Sequence, residues 1–285
     1  SSAASDVYKR QGLNDGLKGE FNGVKAVNRE EACLYAFNTL NATMVEYTNQ
    51  TIVIANGTVK TDKVAKDMEN NARTETIKDD NKMQFAEKYF TDLKLNSNAH
   101  DDFARPANQW KVKAEEIGTY SLTPDATYTA KAKVSEIYKD LGLGSKIEKK
   151  DVSVYVDGVV DPENKIVPVA ITKDNDDDSY GANGVLTEVF YDDDADTVTI
   201  TEVNTYVGEI SKTVKATSKK DAYVVVIPEG VKPTSMKNSE EFETTASFDD
   251  DAYVLYTYSE DAKEIKSVEV AKSVSGEATL SLIHI

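Results

Sequence analysis

The chain has 285 residues, a formal net charge of −17, one cysteine, two histidines and 40% hydrophobic residues. A single cysteine excludes an internal disulfide framework, and so few Cys and His residues exclude a structural zinc cluster. The excess of acid argues against binding to nucleic acid or insertion into anionic membranes, because both need faces rich in Lys and Arg. The hydrophobic content is sufficient for packed cores, and the length fits roughly two domains.

Both ends of the chain are interpreted as translated sequencing adapter. Residues 1–11 read SSAASDVYKRQ, and residues 280–285 read LSLIHI. Back-translated, the first segment resembles a transposase-type adapter, and the second resembles the reverse complement of the inner end of the same adapter. We therefore expect both segments to lie outside the core and to contribute nothing to the fold.

The first evolved segment, residues 12–47, is predicted to be helical at its centre. Asn28 can accept a hydrogen bond as the N-cap, and Glu31 stands where a capping box places its acid. Apolar residues then recur at helical spacing: Cys33, Phe37, Leu40 and Met44. Cys33 is interpreted as a small core residue, since no histidine lies nearby to activate its thiol.

The run GLNDGLKGEFNGVKAVNREEACLYAFNTLNA resembles the second half of an S-layer homology repeat. The matching positions are Gly12, Gly16, Gly19 and Phe21, followed by Asn28, Arg29 and Glu31 in the ITRAE-like motif. The run departs from the family in lacking one residue between Gly16 and Gly19, in Gly23 for a proline and in Glu30 for a small residue. The resemblance implies repeats in threes that dock on cell-wall polysaccharide. It also implies that Arg29 faces the ligand groove, with Glu31 beside it in the motif.

Residues 48–146 are predicted to be a mixed α/β segment. A strand beginning at residue 51 runs into an Asn56-Gly57 turn, and a return strand begins at residue 58. Helices are predicted at 62–72, 83–93 and 135–141, the last one ended by Gly142. Trp110, the only tryptophan, is predicted to anchor the packing.

Residues 147–279 are predicted to be an all-β domain of the sandwich or barrel type. The predicted strands are 151–160, which contains an Asp-Gly turn, then 185–191, 197–207, 211–216, 222–227, 252–258 and 264–274. Turn residues recur about every ten residues between these runs, which is typical of sandwiches and barrels.

The sequence contains no motif that selects a catalytic site. It has no Gly-x-Ser-x-Gly elbow and no phosphate-binding loop. His100, Asp101 and Asp102 stand together, and we interpret them as a solvated loop. A glycosidase needs only two placed carboxylates, but nothing among the many acids selects a pair. We therefore expect no catalytic residues, and we interpret the chain as not being an enzyme.

Two acidic turns are candidates for calcium, although no cofactor is otherwise expected. Their carboxylates alternate along the chain: Asp174, Asp176 and Asp178, then Asp192, Asp194 and Asp196. Alternation brings side chains to one side of an extended segment, and calcium prefers such oxygen ligands. The alternative is that Asp simply favours solvated turns between strands.

Together these features predict an α+β protein: a partial S-layer homology repeat, a mixed α/β segment and a β-rich domain. The predicted function is a structural, non-catalytic part of a surface protein anchored to the wall of a Gram-positive-type bacterium. Its predicted partners are cell-wall polysaccharide and further copies in a surface layer. One alternative is an anchored carbohydrate-active enzyme with its catalytic domain elsewhere, which would show convergent carboxylates in a cleft. The other is an adhesin or ligand-binding module, which would show an exposed apolar or aromatic patch.

Overall fold

The computed structural model describes residues 12–19, 24–53, 57, 59–71, 77–78, 80–144, 152–161 and 179–272. The predicted adapter segments and the first acidic turn, with Asp174, Asp176 and Asp178, lie outside the described residues. Among the described residues, strands account for 47% and helices for 11%, so this part of the chain is largely β.

The chain folds into two compact units. The first comprises the described residues up to Ala99 together with Asn108–Tyr120, and the second comprises His100–Ala107 together with the described residues from Ser121 onward. The predicted domain boundaries after residues 47 and 146 stay predictions.

The first unit begins with helix α1, Arg29–Asn41, at the predicted capping box. The Asn28 side chain accepts a hydrogen bond from the Glu31 N–H at 2.8 Å, and the Asn28 N–H donates to Glu31 Oε2 at 3.1 Å. The prediction for Cys33 is wrong, because its side chain is exposed. None of the helix residues is buried, although several of them, including Leu34 and Leu40, are half-buried.

A hairpin follows the helix. Strand β1, Val45–Val53, pairs antiparallel with β2, Val59–Asp67, from Val45↔Asp67 through Val53↔Val59. Gly57 in the connection has φ +80°, a conformation that favours glycine, and Asn56 of the predicted Asn-Gly turn lies outside the described residues. The helix predicted at 62–72 is wrong, because residues 62–67 extend the return strand along β1 and the described residues 68–71 are not helical.

A short helix and a three-stranded sheet complete the first unit. Helix α2 is Phe85–Tyr89, and the strands are β3, Leu93–His100, β4, Pro106–Val112, and β5, Glu115–Ser121. Their order in the sheet is β3-β4-β5. The helix predicted at 83–93 is therefore a five-residue helix that leads into a strand. A small core forms around Ile77, Ala86 and Trp110, which confirms Trp110 as a packing residue.

The second unit contains one helix and twelve strands among its described residues. In chain order they are β6 (Ala126–Tyr128), β7 (Ala132–Lys133), α3 (Val134–Asp140), β8 (Val152–Val156), β9 (Val159–Val160), β10 (Ser179–Tyr180), β11 (Val185–Asp192), β12 (Thr197–Asn204), β13 (Tyr206–Val214), β14 (Tyr223–Glu229), β15 (Glu240–Glu243), β16 (Tyr253–Ser259) and β17 (Glu264–Val270). The helix predicted at 135–141 and its stop at Gly142, with φ +71°, are confirmed.

The first sheet of this unit has the strand order β6-β11-β12-β8-β9. Strands β12 and β8 are parallel, whereas the other neighbours are antiparallel. Helix α3 packs against one face through Val134, Ile137 and Tyr138, and alternate residues of β12 meet it, including Val198 and Ile200. The same alternation of apolar and polar residues in the sequence predicted a strand at 197–207.

The second sheet has the order β15-β14-β13-β16-β17, and all its neighbours are antiparallel. Its edge strands β15 and β17 contact each other without a hydrogen-bonded ladder, so the sheet curls on itself. The inner face buries Ile210, Val224, Val226, Val254 and Tyr256. Strand β12 ends at Asn204 and β13 begins at Tyr206, so the boundary between them is at Thr205. The sequence had predicted this boundary between residues 207 and 211. Strand β15 was not predicted.

Candidate functional site

At the capped start of α1, Arg29 is exposed to solvent whereas Glu31 is engaged in the cap. Arg29 is exposed at the first helical position. Glu31 holds the helix start, and its second carboxylate oxygen lies 3.2 Å from Lys25 Nζ. The hydrogen bond from the Asn28 backbone and then the Lys25 ammonium lower the pKa of Glu31. Glu31 therefore shapes the helix start, and Arg29 is the group that faces solvent.

The Gly-containing turn before the helix lies against α1 through one side chain. The Asn38 amide donates to the backbone carbonyls of Leu13 at 3.0 Å and Asp15 at 2.9 Å. Gly16 in this turn has φ +77°, a conformation that favours glycine. Residues 12–17 and α1 thus form one local element, although Phe21 and Gly23 lie outside the described residues.

The second predicted acidic turn connects β11 to β12 and is fully exposed. Carboxylate oxygens of Asp192, Asp193 and Asp194 lie within 4.8 Å of one another. Asp192 Oδ1 also accepts hydrogen bonds from the N–H groups of Asp194 and Ala195, at 3.1 and 2.9 Å. Asp196 is not in the cluster, and its Oδ1 accepts a hydrogen bond from the Tyr191 hydroxyl at 3.1 Å. The structure therefore brings together two members of the predicted trio and adds Asp193.

The loop containing His100 is not the plain solvated loop that the sequence suggested. Asp101 Oδ1 accepts from the N–H groups of Phe103 and Arg105, each at 2.9 Å. Arg105 Nε lies 2.5 Å from Glu188 Oε2, and Lys266 Nζ lies 2.5 Å from Asp102 Oδ2. His100 itself is exposed. These acids hold the loop in place within the second unit.

Asp157 is the most deeply buried aspartate among the described residues, with 2% exposure. Its carboxylate accepts hydrogen bonds from Asn204 N at 2.8 Å, Asn204 Nδ2 at 2.9 Å and the Tyr206 hydroxyl at 2.7 Å. Burial raises the pKa of Asp157 above its ordinary value, although the bonds from Asn204 and Tyr206 act against this shift. The predicted Asp-Gly turn is confirmed, and these distant partners were not predicted.

Asp157 and the residue after it also join the two sheets of the second unit. The Asp157 N–H donates to the Glu202 carbonyl, and its carbonyl accepts from the Glu260 N–H at 2.7 Å. A Cβ at Gly158 would lie 2.2 Å from the Asp102 carbonyl oxygen, so only glycine fits this turn. The carboxylate's acceptor positions are filled by protein donors, which is typical of a structural role.

Glu87 is a second buried carboxylate, and it lies in the first unit. It accepts from the N–H groups of Ile77 at 3.2 Å and Gln84 at 3.1 Å, and from Asn70 Nδ2 at 3.3 Å. Gln84 in turn donates its side-chain amide to Asp80. Glu87 therefore ties the start of α2 to the chain before it.

The first unit also has an apolar groove of about 430 Å³. Its walls are Phe37 and Leu40 from α1, Leu93 from β3, Trp110 from β4, and Ile117 and Tyr120 from β5. The Phe37 and Trp110 rings meet edge to face with centroids 5.7 Å apart. The Tyr120 ring lies across Gly118, at 2.8 Å from where a Cβ would stand. Trp110 and Phe37 were predicted to pack in the core, but no pattern in the sequence joins them to Ile117 and Tyr120.

No described helix is long and apolar enough to cross a membrane. A scan against models of protein families, a search of curated proteins and a search of solved structures each found no match to this chain.

Proposed function

We propose that the chain is a structural, non-catalytic part of an extracellular surface protein anchored to the wall of a Gram-positive-type bacterium. Residues 12–47 act as part of an S-layer homology repeat. With this helical segment, the mixed α/β segment and the β-rich domain, the chain belongs to the α+β class. This segment docks on cell-wall polysaccharide together with further repeats of its kind. The β-rich unit forms the surface part of the protein and associates with other copies in a layer.

The capped start of α1 carries this proposal. The motif residues Asn28 and Glu31 form the reciprocal capping bonds, and Arg29 stands exposed beside them. The preceding glycine turn is held against the same helix by Asn38. An arginine presented at a fixed helix start is suited to hydrogen-bonding the hydroxyl and acidic groups of a polysaccharide.

The test is sedimentation of the protein with purified wall polymer. The chain by itself is expected to bind weakly, since the family's groove forms between neighbouring repeats. With complete repeats fused upstream, Arg29→Ala should weaken binding about tenfold, as expected for loss of a charge-assisted hydrogen bond. Lys63→Ala, which removes an exposed cation elsewhere in the first unit, is the matched control. Equal binding by the two variants would remove Arg29 from the proposed contact surface.

A second candidate function is a ligand-binding or adhesive module. The observation in its favour is the apolar groove of the first unit, with its exposed residues Ile117 and Tyr120 at 59% and 64%. A concave apolar site with aromatic walls is a common form of binding site. This function is compatible with attachment to the wall, because the groove and the Arg29 surface are separate sets of residues.

A further inference from the structure

The groove lies beside a strand edge. Strand β5 is the last strand in the order β3-β4-β5, so its outer backbone edge has no neighbouring strand among the described residues. Two groove residues, Ile117 and Tyr120, belong to this strand. An edge strand presents N–H and C=O groups that can pair with a further strand. A chain that paired with β5 would therefore run next to the groove.

The lining of the groove limits the chemistry of its occupant. The walls are almost entirely apolar, and three of the six residues are aromatic. A sugar ring placed inside would lose water from its hydroxyls without gaining partners, which is unfavourable. A large apolar side chain has no such groups and gains by leaving water. The volume of about 430 Å³ is enough for one aromatic or branched aliphatic side chain.

The charges at the start of β5 indicate which charged residues a bound segment would carry. Strand β5 begins with Glu115 and Glu116, both exposed. The Glu116 carboxylate is bonded to Gln109 Nε2 at 3.0 Å and to Thr119 Oγ1 at 2.7 Å, whereas Glu115 extends the acidic end of the strand. These two carboxylates attract a segment that carries Lys or Arg next to the start of β5, and they disfavour an acidic segment there.

We propose that the edge of β5 and the apolar groove together bind an extended polypeptide segment from a partner protein. The segment adds a strand to β5, inserts one large apolar side chain among Phe37, Trp110 and Tyr120, and places Lys or Arg next to Glu115. Main-chain pairing supplies affinity in this mode, and the pocket supplies specificity. The site does not depend on wall docking, so the two proposals are tested independently.

The experiment uses the only tryptophan as its reporter. Trp110 lines the groove, so its fluorescence should respond when the groove fills. The full chain is titrated with the synthetic peptide acetyl-Lys-Thr-Val-Phe-Val-Thr-Lys-amide. Replacing its phenylalanine by serine should weaken binding about tenfold or more, because burial of the ring is lost. Equal affinity for the two peptides would overturn the role of the groove.

Main-chain pairing is tested with two N-methylated forms of the phenylalanine peptide. One carries methyl groups on its odd-numbered amides and the other on its even-numbered amides. Only alternate amides of an added strand face its neighbour, so one form should lose binding and the other should keep it. If both forms bind as well as the parent peptide, strand addition is wrong.

Two protein variants complete the design. Ile117→Glu puts a charge on the groove wall and should weaken binding about tenfold, because a carboxylate resists burial beside an apolar ligand. Val59→Glu is the matched control on β2, since Val59 is 61% exposed and Ile117 is 59% exposed. Equal binding by these variants would overturn the proposal. So would a Trp110 response to chitotriose or to a fatty acid in the absence of any response to the peptide.

Discussion

The two units of the protein bury apolar residues to different extents. In the first unit the described core has three buried residues, Ile77, Ala86 and Trp110, with three partly buried leucines around them. The second unit has two buried clusters of nine residues each among its described residues. Since burial of apolar surface is the main driving force for folding, the second unit is expected to carry most of the stability.

The difference also appears strand by strand. In β16, Val254, Tyr256 and Tyr258 are buried while Tyr253 and Leu255 between and before them are exposed, so the inner face of the strand is specified. In the hairpin of the first unit, Tyr47, Val59 and Val64 are all exposed, and the ladder of β1 and β2 is its main support. A two-stranded hairpin without a covered face is marginal in water.

The largest expected effect is therefore a core truncation in the second unit. Ile210→Ala removes a side chain with 0% exposure from the inner face of the second sheet. It should lower the free energy of unfolding by about 3 kcal/mol, from lost burial and the cavity left behind. Urea unfolding followed by far-UV circular dichroism measures this change.

Leu40→Ala is the matched truncation in the first unit. Leu40 is only partly buried beside Ile77 and Trp110, so the loss should be about 1 kcal/mol, measured by Trp110 fluorescence during urea unfolding. Equal losses for the two variants would show that the first unit is better packed than its small core indicates.

Local sequence rules predicted the parts of the fold that local chemistry determines. The Asn28–Glu31 capping box, the stop at Gly142 and the Asp157-Gly158 turn are all where the residues placed them. Most strands of the second unit were predicted too, because their apolar residues alternate with the period of a strand. Each of these features depends on residues a few positions apart.

The predictions that were wrong depend on contacts between distant residues. Residues 62–67 have helix-forming lysine and alanine, yet pairing with β1 makes them a strand. Cys33 has helical core spacing, yet α1 buries none of its residues. The groove likewise needs Phe37, Trp110 and Tyr120 from three elements, and the Asp157 network needs Asn204 and Tyr206. A single sequence contains no local signal for such partners.

A second effect concerns pH in the second unit. Burial raises the pKa of Asp157, so the folded state holds its proton more tightly than the unfolded state. The resulting stability is fully present below the ordinary aspartate pKa of about 3.9 and is lost as the pH rises through the folded pKa. Asp157→Asn removes this titration. It should also cost about 1–2 kcal/mol at neutral pH, because an amide N–H₂ would face the Asn204 and Tyr206 donors.

Wild type is expected to unfold at a higher urea concentration than Asp157→Asn. The difference between the two urea midpoints should increase as the pH is lowered from about 7 to about 4. Asp221→Asn, at an exposed position in the same unit, should show a gap that does not change with pH. A wild-type advantage that narrows on acidification would contradict the raised pKa. Such a result would mean that the bonds from Asn204 and Tyr206 outweigh the effect of burial.

A further effect concerns the exposed acidic turn after β11. The carboxylates of Asp192, Asp193 and Asp194 repel one another across less than 4.8 Å, and a divalent cation would relieve this repulsion. Asp192 already accepts two backbone hydrogen bonds, and water screens all three charges, so any affinity for calcium should be in the millimolar range. A tenfold excess of calcium over its dissociation constant would then add about 1.4 kcal/mol of stability.

For a unit of this size, that gain corresponds to a rise of roughly 3–6 °C in the melting temperature. Thermal unfolding in calcium is compared with unfolding in magnesium at the same ionic strength, since simple screening acts equally with both ions. Asp194→Asn should remove the calcium-specific rise, because it takes away one ligand and one repelling charge. Asp249→Asn, in the acidic turn before β16, should keep the rise. Identical midpoints in calcium and magnesium would identify the turn after β11 as a solvated connection whose aspartates serve its geometry alone.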